Sequence, residues 1–446
     1  MVKLIWKQED MDNQQFNKSA ALLARAKNAI AGGVNSGIRL METPVPLYHT
    51  HGKGSHLWDE DGNEYIDFQI GQGALILGHA HPAITEAISA QAARGTHWAA
   101  QSRLEIEAAE LLQEHVPVCE LVRFSNSATE ILIAVTRLAR THTSKWKILR
   151  FEGHYHGWND EGLFGVVPPP DTWDTGECGT PPRHLSEGII PELAGYHLLA
   201  QWNNLASVEA HFQRHGDEIS AILCEPILCN NGCIEPESGF LAGLRDIADR
   251  YGAVLVFDET ITGFRFGLPG AEGWSGVQPD IGVLGKALGG GVPVAALGAR
   301  REIMQHIIDG RAIHAGTLNG NPLMMAAVKA TLTTLAADEG YVGRLRKLGQ
   351  RLMSGLTELG KEAGLPIVAA GPGAVFQILM SEAPAPRNYR DYASNNDRDL
   401  WFKLREALLR KGVRPTCRGI WFITCAHTEE DIDRTLEIAA EAVRTV

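Results

Sequence analysis

The sequence offers no disulfide framework. Its seven cysteines are scattered over 446 residues, an odd number in a long chain, so a small cysteine-stapled fold is excluded. Cys224, Cys229 and Cys233 stand close together, but their spacing matches no common zinc pattern and they read as packing residues. Basic residues form no long run, and the formal net charge is −12. The clustered Lys/Arg surface needed for nucleic acid or an anionic membrane is missing. The opening MVKLIWKQEDMDNQQ lacks the apolar stretch and small-residue cleavage site of an export signal. The longest apolar run, IGVLGKALGGGVPVAALGA (281–299), holds six glycines, a proline and Lys286. That density of breakers suits a buried strand, a turn and a second strand rather than a membrane span. A complete G-x-G-x-x-G after a strand is absent, as is GK followed by Ser or Thr, which removes dinucleotide and P-loop sites. No internal repeat or low-complexity tract is seen. The expectation is a cytoplasmic, soluble protein without nucleic-acid, membrane or metal partners.

What is present is strand–helix alternation. Apolar runs ELVRFSN, KILRFEG, ISAILCEP, AVLVFDE, DIGVLGK and PVAALGA alternate with helical stretches such as ATEILIAVTRLARTH and GFLAGLRDIADRYG. This pattern predicts a mostly parallel sheet covered on both faces. Before it, LLARAKNAIAGGVNS (22–36) predicts a helix closed by Gly32–Gly33, and GSHLWDEDGNEYIDF (54–68) predicts a hairpin around Asp61–Gly62. The pattern stops between about 158 and 200, where VVPPPDTWDTGECGTPPRHL is too long for an ordinary connection and reads as a lid, a binding loop or a disordered segment. After about 330, long amphipathic helices and two or three short strands predict a smaller lobe packed with the N-terminal hairpin. The expected division is 1–70 and 330–446 for a small α+β domain and 71–329 for the large domain.

Lys286 is an odd residue for its surroundings, since lysine is rarely buried and everything near it is small or apolar. Three other strand ends change its meaning. AVLVFDE ends in Asp258–Glu259, and ligands of open α/β sheets bind beyond the carboxyl ends of the strands. In RFSNSATE a strand runs straight into a helix whose start, with Ser127 and Glu130 at capping-box spacing, offers N–H groups and hydroxyls to an anion. In FEGHYHGW, Tyr155 follows a strand and could stack on a flat ligand. A phosphate cradle, an aromatic platform, a carboxylate and a lysine are what pyridoxal phosphate needs. Apolar surroundings favour the neutral, nucleophilic amine that forms an imine with the cofactor aldehyde.

The order and wording of these motifs resemble the class III aminotransferases among the fold-type I pyridoxal-phosphate enzymes, in the branch that holds glutamate-1-semialdehyde aminomutase. The resemblance runs from GGVNSGIR (32–39) through DEDGNEYIDF, LILGHAHP, FSNSATE, FEGHYHG, CEP, VFDETITGFR, GVLGKALGGGVPV and GTLNGNP to AHTEEDIDRT (426–435). It implies that Lys286 carries the imine and moves a proton between the substrate Cα and the cofactor C4′. Asp258 would pair with the pyridine nitrogen, Tyr155 would stack on the ring, and Asn230 would lie near the ring hydroxyl. Ser127, Ala128 and Thr129 would hold the phosphate. Thr317 would reach it from a second subunit, making a homodimer with shared active sites. Ala128 and Thr260 depart from the family's usual Gly and Val, adding a methyl in the cradle and a hydroxyl beneath the ring.

Arg39 matches the arginine that this family uses for a substrate carboxylate, a task suited to a planar guanidinium. The aminomutase pattern has a Trp where this chain has Gln72, a Glu where it has Gly419, and a Gly/Ser-rich lid in place of the Pro-rich 165–185. FEGHYHGW, GALILGH and the Arg418–Gly419 pair are more similar to the D-phenylglycine and β-amino acid aminotransferases. The resemblance therefore implies amino transfer between a carboxylate-bearing, aromatic or β-amino, acid and a 2-oxo acid. Gln72, Trp158, Trp173 and Arg418 are the candidates for shaping the pocket. Intramolecular transfer on glutamate-1-semialdehyde is the alternative.

Overall fold

The computed structural model describes residues 14–176 and 178–446. The opening stretch read for an export signal therefore lies mostly outside the described residues. At the centre is a seven-stranded sheet. In chain order its strands are β1 (Leu121–Ser125), β2 (Lys147–Phe151), β3 (His197–Ala200), β4 (Ile219–Cys224), β5 (Val254–Glu259), β6 (Ile281–Leu284) and β7 (Ala295–Ala299). They lie in the order β1-β7-β6-β5-β4-β2-β3. All pairings are parallel except those of β7, which runs antiparallel to both β1 and β6. The short Gly-rich turn after β6 explains this exception, since it is too brief for a crossover helix.

Strand pleating sends alternate side chains to opposite layers. On β5, Val254 and Val256 join the core under the helix Ala128–Thr143, with Ile131, Val135, Leu138 and Val283. Leu255 and Phe257 join the opposite core, under the helix Phe240–Tyr251, with Leu244 and Ile247. Both layers are apolar throughout, which is why these strands read as nearly continuous hydrophobic runs.

The hairpin read at 54–68 is formed by His56–Asp59 and Glu64–Asp67, with a third strand, His49–Lys53, that the sequence pattern did not show. Val413–Arg414 adds to it in parallel, so the N- and C-terminal parts of the chain do meet in one sheet. A three-stranded sheet of Ile367–Ala370, Val375–Met380 and Ile420–Phe422 lies under the long helix Tyr341–Ala363.

Three expectations need correcting. The helix read from 22 and closed by Gly32–Gly33 is Asn17–Ala26, which starts and ends earlier; the two glycines, both at positive φ, close a separate 3-10 turn at Ala31–Gly33. The irregular stretch ends earlier than 200, at the edge strand β3. The boundary placed between 329 and 330 falls inside the helix Pro322–Ala336, whose residues pack in one core with those of the helices Pro82–Ala92 and Arg103–His115.

The described residues of segment 158–196 are packed against the large domain's sheet edge and helix Tyr389–Asn395. Phe164 bridges to His184, and Phe164, Val166, Thr172, Thr180 and Ile189 are buried. Arg390, on the helix Tyr389–Asn395, clamps it. Its guanidinium meets Glu152 at 2.8 and 2.9 Å, pairs with Asp174, reaches Thr180 at 3.1 Å and lies over the Trp173 ring at 5.4 Å.

Candidate active site

Asp258 continues the Val254–Val256 row at the carboxyl end of β5 and is buried. One carboxylate oxygen lies 2.8 Å from His156 Nδ1. The other accepts from the Thr260 N–H at 3.1 Å and the Thr260 hydroxyl at 2.5 Å. Burial alone would favour the neutral acid, but the His156 and Thr260 bonds outweigh it and hold the pKa below the ordinary carboxylate value. His156 is pushed down, chiefly by burial with Arg150 adding to it, although Asp258 opposes. A neutral imidazole beside a carboxylate must donate from Nδ1.

Register sets the lysine next to this acid. Asp258 pairs with Val283 and Glu259 with Leu284, so Lys286 emerges two residues past the end of β6. It has φ +41°, an uncommon value for a side chain with a Cβ. The residue is half-buried, with its amine in desolvated surroundings that lower its pKa to about 8. Burial is the largest cause; the charges of Asp258 and Glu225 resist it, and Arg418 assists it. A substantial neutral fraction near physiological pH is the state an amine nucleophile needs.

The helix Ala128–Thr143 starts in a closed capping box. Ser127 Oγ accepts from Glu130 N at 3.3 Å, and the Glu130 carboxylate accepts from the N–H groups of Asn126 at 2.8 Å and Ser127 at 3.2 Å. The N–H groups of Ala128 and Thr129 have no acceptor within the helix and could bind an anion. Glycines bring the other strand ends against them. A methyl on Gly285 would stand 3.3 Å from Thr260 Cγ2 and 3.6 Å from Ala128 Cβ. One on Gly157, at φ +91°, would stand 2.8 Å from Thr129 Oγ1. The extra methyl of Ala128 and the Thr260 hydroxyl are thus both accommodated, the hydroxyl by bonding Asp258.

Behind Tyr155 runs a buried polar chain. Arg418 Nη1 donates to Asn230 at 3.0 Å, and Asn230 donates to Glu225 at 3.0 Å. Glu225 also accepts from the N–H groups of Tyr155 at 2.8 Å and Cys229 at 3.1 Å. Burial raises the Glu225 pKa to about 7. Tyr155 is likewise pushed up by burial, with Arg418 opposing and Asp258 adding.

The fold therefore brings Ser127, Ala128, Thr129, Tyr155, Asn230, Asp258, Thr260, Lys286 and Arg418 into one neighbourhood. Arg39 is exposed, and no hydrogen bond or ion pair described for it joins it to these residues. Gln72 is half-buried in a left-handed turn spanning Ile70–Gly73. Trp158 is 74% exposed. Trp173 is committed to Arg390 and donates its indole N–H to the Pro168 carbonyl at 3.1 Å. Thr317 is exposed, although Asn319 in the same motif meets Asn126 at 3.4 Å. The residues that sequence reading missed are His156 as partner of Asp258, and Glu225. The two histidines flanking Tyr155 were a usable signal, because an extended chain turns them both away from the tyrosine face. Cys224, Cys229 and Cys233 are buried among apolar side chains.

With this geometry in hand, comparison with known proteins is direct. The family model for class-III aminotransferases matches residues 39–414. The chain belongs to that family. A curated glutamate-1-semialdehyde 2,1-aminomutase from Desulforudis audaxviator is 41% identical over 434 residues, 96% of this chain and 98% of the relative. The crystal structure of an omega-transaminase from Sphaerobacter thermophilus superposes with TM-score 0.89 at 33% identity, covering 96% and 97% of the two chains. A β-phenylalanine aminotransferase from Variovorax paradoxus superposes with TM-score 0.85 at 30% identity, covering 96% and 94%. The enzyme is a pyridoxal-phosphate-dependent class-III aminotransferase with the fold-type I architecture. Its site fits that cofactor: a desolvated amine, an ionised acid and a helix start closely flanked by glycines stand together.

Proposed function

We propose that this class-III enzyme moves an amino group between a carboxylate-bearing amino acid, aromatic or β-amino, and a 2-oxo acid such as 2-oxoglutarate or pyruvate. Pyridoxal phosphate, once bound, would supply a reactive aldehyde and an electron-accepting ring. Lys286 holds the cofactor and moves the proton at Cα. Asp258 keeps the ring nitrogen protonated. Ser127, Ala128 and Thr129 hold the phosphate, Tyr155 covers one ring face, and Asn230 stands by the ring hydroxyl. Arg39, Gln72, Trp158 and Arg418 are assigned to the substrate side, and Thr317 to the phosphate of a second subunit in a homodimer. Residues 71–329, extended to the end of the helix Pro322–Ala336, form the cofactor-binding unit, the remainder the smaller one, and the enzyme works in the cytoplasm.

The observation that carries intermolecular transfer is the clamped 158–196 segment. An enzyme that retains its intermediate needs a closing lid, whereas here Arg390, Glu152 and Thr180 pin the corresponding stretch. A donor screen of D-, L- and β-amino acids with both oxo acids, monitored at the visible cofactor band, tests it. Borohydride should bleach the band and fix the cofactor covalently to the chain in the wild type, and Lys286→Ala should fold but retain no covalently attached cofactor after reduction. Clean isomerisation of glutamate-1-semialdehyde without transfer to either oxo acid would reverse the reading. That second reading is favoured by the names of the curated relatives at 38–41% identity.

A further inference from the structure

Beside His156, the partner of Asp258, lies a small cavity of about 10 Å³ lined by Arg150, His156, Asn159, Glu161 and His197, with apolar walls from Leu132, Ile148 and Leu223. That volume is about what one water molecule occupies. Four of the lining side chains carry buried polar atoms without a protein partner: His156 Nε2, Asn159 Oδ1, Arg150 Nε and both ring nitrogens of His197. The remaining polar atoms of His156 and Arg150 are already used. His156 Nδ1 faces Asp258 at 2.8 Å, and Arg150 donates to the carbonyls of Glu161 at 2.7 Å and Gly162 at 3.0 Å. Glu161 pairs with Arg140 at 2.8 Å and stands 3.8 Å from His197, beyond hydrogen-bond reach. Buried polar atoms are costly unless bonded.

We infer that this cavity is an ordered-water site acting on the active acid, and that Asn159 and His197 are positioning residues for Asp258. With Nδ1 donating to Asp258, neutral His156 presents a lone pair at Nε2. A water there donates to His156 Nε2 and to Asn159 Oδ1 and accepts from a His197 N–H, the three bonds usual for a buried water. It thereby holds His156 in the one tautomer able to support an ionised Asp258. The site communicates with the exterior, since Thr136, Asn159 and Glu161 also line a surface pocket of about 230 Å³ beside Arg137, Arg140 and Trp146. The water and its protons therefore exchange with solvent without passing Lys286.

The effect on the cofactor rests on the role proposed for Asp258; the water and the tautomer do not. A crystal structure of the holoenzyme at a resolution showing ordered solvent should place a water within hydrogen-bond distance of His156 Nε2, Asn159 and His197. Nitrogen NMR should find His156 in the Nδ1–H form. Asn159→Leu and His197→Phe, each filling the cavity, should lose the water, populate the other tautomer, and move the pH at which the visible band titrates by about one unit. Asn159→Ser, which keeps an acceptor, should restore the wild-type tautomer. A dry cavity, or filled variants with unchanged tautomer and titration, would overturn the inference. Borohydride bleaching separates the two readings: if the wild type bleaches and the variants behave as wild type, only the water role fails. If the wild type does not bleach, the cofactor role of Lys286 fails instead.

Discussion

Asp258 and Glu259 are neighbours on one strand and equally buried, yet they are driven in opposite directions. On the face of helix Ala128–Thr143, His156 and Thr260 supply hydrogen bonds that hold Asp258 ionised. On the other face, Glu259 has the N–H of Ala271 at 2.6 Å and a long contact to Thr262 at 3.4 Å, with Glu272 and Asp258 as like charges. Burial is its largest influence, and its pKa rises to about 8. The difference shows that desolvation does not by itself choose a protonation state. The number and sign of the partners do. One acid becomes a fixed charge facing the lysine and the other a protonated strut behind it.

The sharpest way to break this contrast is to neutralise each acid at constant shape. Asp258→Asn should cut turnover by roughly 10²–10⁴-fold, while Glu259→Gln should leave it near wild type in the same steady-state assay. Equal losses would mean that the two faces are not functionally distinct. A third buried acid extends the comparison, since Glu152 is paired with Arg390 at 2.8 Å. Arg390→Met should destabilise the fold by about 3 kcal/mol in chemical denaturation, and segment 158–196 should become the first site of proteolysis.

Next in size is a pH effect with a definite sign. Glu259 has a folded pKa above its ordinary 4.5, so its contribution to stability is complete below that value and is lost as pH rises through about 8. Thermal melts between pH 5 and pH 8 should show Glu259→Gln losing less stability than wild type, by on the order of 1–3 kcal/mol at the alkaline end. The smallest effect belongs to Trp158→Ala, which should alter stability by no more than about 0.5 kcal/mol because the ring is exposed. A change in donor preference without a change in stability would place that ring at the substrate.

Much of the centre was legible beforehand because it depends on local chemistry and strand periodicity. The apolar runs announced their strands, Ser127–Glu130 announced its capping box, and the apolar setting of Lys286 matched an amine lowered to about 8. The antiparallel course of β7, the third strand His49–Lys53 and the clamp from Arg390 were not legible. The strand His49–Lys53 is a polar run without apolar alternation, the course of β7 follows from the short turn after β6, and the clamp joins Glu152 to Arg390, 238 residues away.

The sequence alone determined which chemical groups stand at the strand ends and in what order, because alternation and capping act over a few residues. Only the tertiary structure decided their states. Whether Asp258 is ionised, Glu259 protonated and His156 a donor follows from charges and hydrogen bonds converging from strands that are distant in the chain.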